Sequence, residues 1–121
     1  MSDVRNIGKL GEEKAIAFLR NQNFNILDTN WRYKKLEVDI IAESEGKIVF
    51  IEVKTRSSAE YGEPETFVSP KKQRFIVSAA NSYLIEKSID SEARFDVIGI
   101  LFKKNETIIN HLKDAFYPMV K

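Results

Sequence analysis

The stretch Val-Phe-Ile-Glu-Val-Lys-Thr-Arg, residues 49 to 56, starts as a strand dressed for burial and then carries Glu52, Lys54 and Arg56. Burying an unpaired charge is costly. A charged continuation of a core strand therefore needs either a salt bridge at the strand's exposed end or a site. Residues two apart on a strand share a face, so Glu52, Lys54 and Arg56 point the same way as Ile48 and Phe50. On the preceding strand-like run, Glu37 and Asp39 share a face with Ile41. The turn between the two runs lies within Glu-Ser-Glu-Gly-Lys. A four-residue loop from Ser44 to Lys47 sets Glu43 opposite Ile48 and Asp39 opposite Glu52. Carboxylates opposed in this way have Cβ atoms only ~5 Å apart and repel. A divalent ion between them, with Lys54 alongside, would remove that cost. Mg²⁺ suits such a place, because it takes one or two protein carboxylates and leaves its other positions to water and substrate phosphate. A cross-strand charge network without metal is the alternative.

Two helices must position the rest. Gly8 to about Asn21 has an apolar stripe of Ala15, Ile16 and Leu19 at helical spacing. At roughly 100° per residue, Glu12 falls on that apolar arc and Glu13 falls off it. Glu12 then either reaches across the sheet toward the carboxylate pair or lines the rim of the core. A second helix opens with Ser69 as N-cap and Pro70 at the first helical position. Its stripe is Phe75, Ile76, Ala79, Ala80, Tyr83 and Leu84. Lys72 extends this inner stripe toward the N-terminus, whereas Lys71 and Arg74 face solvent.

Strands are expected over 24–33, 35–43, 46–56, 94–102 and 107–112, with a polar loop over 57–68 and a turn at 103–106. The order αβββαββ describes a hairpin-rich sheet with helices packed against it, an α/β or α+β sandwich.

The bulk properties narrow the function. A chain of 121 residues with 43% hydrophobic and 31% charged residues is expected to form one globular domain, spanning 1–121. Without cysteine there is neither a disulfide framework nor a thiolate metal site, which fits a reducing cytoplasm. No apolar run approaches the ~20 residues of a membrane span, and the N-terminus is too polar for a secretory signal. The net charge is only +1, whereas duplex-binding domains are often strongly basic. Nucleic-acid binding would need a local patch. Lys34, Lys35, Arg56, Lys71, Lys72 and Arg74 are its candidates, and Asn-Trp-Arg-Tyr-Lys-Lys at 30–35 mixes bases with aromatics as such surfaces do. A solvated surface, with Trp31 packed into the core, is the alternative. The lone histidine, His111, reads as structural, so a histidine-activated nucleophile has little support, and no glycine loop is suited to cradling phosphates.

Gly-Glu-Glu-Lys-Ala at 11–15, Asn-Trp-Arg-Tyr at 30–33, Glu-Val-Asp-Ile-Ile-Ala at 37–42, the 49–56 stretch, Pro-Lys-Lys-Gln-Arg at 70–74 and Arg-Phe-Asp-Val-Ile-Gly-Ile at 94–100 together resemble the YraN-like family of small uncharacterised bacterial proteins. The resemblance runs from Gly8 to Phe116. That family is grouped with the restriction-endonuclease-like, or PD-(D/E)xK, nuclease superfamily, which includes archaeal Holliday-junction resolvases. The resemblance implies an α/β fold with a restriction-endonuclease-like αβββαβ core, a mixed central sheet flanked by helices. It assigns Asp39 as the metal-binding aspartate, Glu52 and Lys54 as the ExK pair, and Glu12 as the helical glutamate. Lys72 and Gln73 resemble the Lys-Gln of the following helix, and Gln73 joins the candidate nucleic-acid contacts. Leu36 stands where relatives carry glycine, a departure in the backbone before the strand rather than in the ligands. The implied cofactor is Mg²⁺ or Mn²⁺, and the implied reaction is phosphodiester hydrolysis in DNA, branched or damaged DNA included. The expected partner is nucleic acid, with no membrane association and with a homodimer left open. A non-catalytic nucleic-acid-binding module and a protein-interaction domain are the competing functions, since fold does not fix function.

Overall fold

A computed structural model describes residues 6–57 and 66–117. The middle of the loop expected over 57–68 lies outside these residues, as do both ends of the chain. The elements follow as α1 (Ile7–Asn21), β1 (Asn25–Tyr33), β2 (Leu36–Ser44), β3 (Lys47–Arg56), α2 (Pro70–Glu86), β4 (Ala93–Phe102) and β5 (Thr107–Leu112). The strands form one mixed sheet in the order β1-β2-β3-β4-β5. Only β3 and β4 run parallel. A parallel pair needs a crossover, and α2 supplies it. The result is an α/β fold whose first six elements follow the αβββαβ order of a restriction-endonuclease-like core, with β5 added at the edge.

The two faces of the sheet are chemically different. The α1 side is largely aliphatic, with Ala15, Leu19 and Phe24 clustered with Ile40, Ala42, Val49, Ile51, Ile98 and Ile100. The α2 side is aromatic: Phe50 lies edge-on to Tyr83 and stacks with Phe95, which stacks in turn on Phe116. Because both faces are covered, β3 begins and β4 continues as unbroken apolar runs rather than alternating ones. Trp31 packs against this aromatic core and meets Tyr83 edge-on at 5.1 Å. α1 comes very close to the end of β3. A Cβ on Gly11 would collide with the Thr55 side chain, so glycine lets the helix sit this close to the strand.

The β2–β3 hairpin corrects the expected loop. Ser44 pairs with Lys47, leaving a two-residue turn, Glu45–Gly46, with both residues at positive φ. Such a turn matches the twist of the strands it joins. The register is the expected one, with Glu43 opposite Ile48, because pairing Ser44 with Lys47 only extends the same ladder.

Candidate metal and nucleic-acid site

The β2–β3 ladder stops at Ile40↔Ile51, one step short of Asp39 and Glu52. Asp39 is what interrupts it. Its Oδ2 accepts a hydrogen bond from the Val53 backbone N–H at 2.8 Å, taking the place of a strand-to-strand bond. The alternation of β2 changes at the same residue. Ile40 and Ala42 pack on the α1 side and Ile41 on the α2 side, yet Val38 also belongs to the α2-side cluster. A regular strand would have put Val38 with Ile40. Glu37, expected beside Asp39, is exposed and sits opposite Arg32.

Asp39 and Glu52 are near enough to perturb each other. Burial and the Glu52 charge push the Asp39 carboxyl up to about 7, against the pull of the Val53 N–H and of Lys72. Burial also raises Glu52, opposed by Lys72, by contact with Asp39 and by Lys54. Lys72 Nζ lies 3.5 Å from Glu52 Oε2. Lys54 is turned elsewhere: its Nζ donates to the Phe67 carbonyl at 2.6 Å and lies 5.8 Å from the Phe67 ring centroid. Glu52, Lys54, Phe67, Val68, Ser69 and Lys72 line an open cleft of about 280 Å³. The ion pair that Glu52 makes is therefore with the helix lysine, not with the lysine two residues along its own strand.

Glu12 lies on the α1 side and accepts a hydrogen bond from Asn30 Nδ2 at 3.2 Å. Burial raises its pKa against that hydrogen bond, with smaller contributions from the Asp39 and Glu37 charges. It borders a second cleft with Gly8, Val53, Thr55, Arg56 and Ser57. Among the described residues no three His, Cys, Asp or Glu side chains gather closely enough to hold a metal together. What the fold brings together is the pair Asp39 and Glu52, with Glu12 coupled to it from the other side of the sheet.

Apart from Arg56, which borders the Glu12 cleft, the candidate bases fall into two groups. Lys34 and Lys35 form the exposed β1–β2 turn, and Lys34 Nζ lies 5.3 Å from the centroid of the Tyr33 ring. Tyr33 meets Phe75 of α2 at 5.6 Å, which links this turn to the start of the helix. There Lys71 and Arg74 are exposed, and Lys72 is half-buried. The first turn of α2 has no acidic residue, although the helix dipole favours anions at that end. The α2 N-terminus is thus positive twice over. Gln73 donates instead to the Val68 carbonyl at 2.9 Å, fixing the segment that enters the helix. Sequence reasoning did not single out Asn30 or Phe67. Asn30 sits at φ 51°, a conformation asparagine tolerates better than most residues, and nothing in its spacing announces a partner on α1.

A different cluster lies one strand away. Asp96, fully buried and paired with Ile51 in the β3–β4 ladder, receives two hydrogen bonds from Arg94, at 3.0 and 2.8 Å. It also receives one from the Asp114 N–H at 3.1 Å, and His111 Nε2 is 2.7 Å away. Burial would raise its pKa, but His111, Arg94 and the Asp114 N–H together hold it below the ordinary value. The only histidine is spent here.

The mixed sheet with its two helices is an α/β fold whose element order is consistent with a restriction-endonuclease-like αβββαβ arrangement. A family model described as "Uncharacterised protein family UPF0102" matches residues 11–100, and the chain belongs to that family. It is 44% identical over 117 residues to UPF0102 protein FP2501 of Flavobacterium psychrophilum, covering 97% of this chain and 98% of the relative. A UPF0102 protein of Phocaeicola vulgatus is 39% identical over 120 residues, with 99% of each chain covered. UPF0102 protein Cpha266_0037 of Chlorobium phaeobacteroides is 46% identical over 122 residues, with 95% of this chain and 96% of the relative covered. None of these names states an activity. Among the described residues no helix is long and apolar enough to cross a membrane.

Proposed function

We propose that this protein is a metal-dependent nuclease that hydrolyses phosphodiester bonds in DNA, with branched or damaged DNA as the leading substrates and the cytoplasm as its place of action. The observation that carries this reading is the adjacency of Asp39 and Glu52. Both are raised by burial, and Lys72 is the cation paired with Glu52. Two carboxylates placed together and partly dried are a poor investment for the fold but a good donor set for a hard cation. Mg²⁺ or Mn²⁺ fits them, with the remaining positions left to water and phosphate. When bound, such an ion supplies an activated water and Lewis-acid relief of charge at the phosphoryl group.

The chain's own residues then divide the work. Asp39 and Glu52 hold the cation, while the Val53 N–H fixes the Asp39 carboxylate. Glu12, steadied by Asn30, orients water from the α1 side. Lys54 leaves the Phe67 carbonyl to contact the attacking water or the charge growing on the phosphoryl oxygens. Lys34, Lys35, Arg56, Lys71, Lys72 and Arg74 supply sequence-independent affinity through backbone phosphates. The near-neutral net charge confines that affinity to this end of the molecule.

The test is incubation with branched, single-stranded and duplex DNA in Mg²⁺ or Mn²⁺, beside an Asp39→Ala control. Cleavage by the wild type that vanishes in the control supports the proposal. Salt-sensitive binding without cleavage selects a nucleic-acid-binding module instead. Neither binding nor cleavage leaves an interaction domain.

A further inference from the structure

Two lysines share the cleft beside Glu52, and the structure gives them different partners. Lys54 Nζ is held by the Phe67 carbonyl at 2.6 Å. Lys72 Nζ is 3.5 Å from Glu52 Oε2, and its charge also lowers the Asp39 carboxyl. The Glu52 side chain is only 15% exposed, and Lys72 lines the cleft that reaches it. The backbone of Lys72 is fixed, because its N–H donates to Ser69 Oγ at 3.2 Å in the helix cap. Its side chain is not: four rotatable bonds let the ammonium leave Glu52 without any movement of α2. A cation in the first turn of a helix is disfavoured by the dipole, so helix stability does not account for this placement.

We propose that Lys72 is a tethered counter-ion that a divalent cation must displace, and that the freed ammonium then engages a phosphate of the bound nucleic acid. Lys72 is thus a positioning residue. It neutralises the carboxylates while the site waits, and it couples metal binding to nucleic-acid binding, each favouring the other as linkage requires. The inference rests on Asp39 and Glu52 being a cation site and adds how that site is kept and released.

The experiment is calorimetric titration of Mn²⁺ into the wild type, Lys72→Met, Lys72→Arg and Lys104→Met. It is run at pH 8.5, with and without a non-hydrolysable phosphorothioate oligonucleotide. Without DNA, Lys72→Met should bind Mn²⁺ about three- to tenfold more tightly than wild type, the scale of a partly buried ion pair. Lys72→Arg and Lys104→Met should match the wild type, because one keeps the charge and the other removes an exposed charge in the β4–β5 turn. The oligonucleotide should tighten Mn²⁺ binding to the wild type several-fold and to Lys72→Met markedly less. Equal or weaker Mn²⁺ binding by Lys72→Met, or undiminished coupling in that variant, overturns the exchange while leaving the metal site standing. If none of the four proteins binds Mn²⁺, the cation site and the exchange fall together.

Discussion

Asp96 and Asp39 are carboxylates on neighbouring parts of one sheet, and the fold treats them in opposite ways. Asp96 is fully buried, yet Arg94, His111 and the Asp114 N–H pull its pKa down past the penalty of burial. Asp39 keeps some solvent contact, has one backbone N–H, faces Glu52, and is pushed up to about 7. A carboxylate that the protein needs for its own stability is surrounded by donors until its charge is comfortable. One left beside a second carboxylate costs the fold stability, a cost that the proposed cation site would account for. Burial alone would have ranked the two the wrong way round.

Breaking the Asp96 cluster should have the largest effect on the fold. Asp96→Ala leaves the Arg94 guanidinium buried without its bidentate partner, and should cost about 3–5 kcal/mol. Urea unfolding measures it, and a loss under 1 kcal/mol would mean that the cluster is not structural. Next comes Lys54→Ala, which should unfold like the wild type and still bind metal and DNA. Its single-turnover cleavage should fall by about 10²–10³-fold. Wild-type rates at saturating protein and metal would remove Lys54 from the chemistry. The bases around the cleft should matter least individually. Lys34, Lys35, Lys71 and Arg74 replaced together by glutamine should lower DNA affinity alike for unrelated sequences and flatten its salt dependence by up to about four phosphate contacts. An unchanged salt slope would move the nucleic-acid interface elsewhere.

The difference between the two regions was only half legible in the sequence. The hairpin register that sets Asp39 beside Glu52 rests on an assumed four-residue loop, and it holds because the observed two-residue turn extends the same ladder. The helix stripe placed Lys72 inward and Lys71 and Arg74 outward, as the structure has them. What periodicity could not carry is the reversal at Asp39, where a side chain replaces a ladder hydrogen bond and Val38 changes face. Nor could it foresee that Lys72 rather than Lys54 would take Glu52, a choice made by the Phe67 carbonyl across a loop. The Asp96 cluster was hidden for a similar reason. Arg94 and Asp96 lie two apart on a strand, but His111 and Asp114 join them only through the pairing of β5 with β4.

The pH dependences of the two carboxylates should run in opposite directions. Asp96 is held below its ordinary pKa, so its contribution is present above that value and lost as pH falls through the lower, folded one. The pKa of Asp39 rises from 3.8 to about 7 on folding, so the folded chain binds the extra proton between those values. Its charge therefore costs stability progressively as pH climbs from 4 to 7.

Thermal melting of the wild type and Asp39→Asn at pH 8, in chelator and then in excess Mn²⁺, tests the central claim most directly. In chelator Asp39→Asn should be the more stable protein, by about 1–2 kcal/mol after allowance for solvent screening, and the gap should shrink at pH 5. Mn²⁺ should raise the wild-type midpoint, by about 2.7 kcal/mol of stability at a hundredfold excess over its dissociation constant, and leave Asp39→Asn unmoved. A wild type indifferent to Mn²⁺, or an Asp39→Asn protein that is less stable in chelator and responds to the ion equally, would contradict the account: Asp39 would then be a structural carboxylate like Asp96.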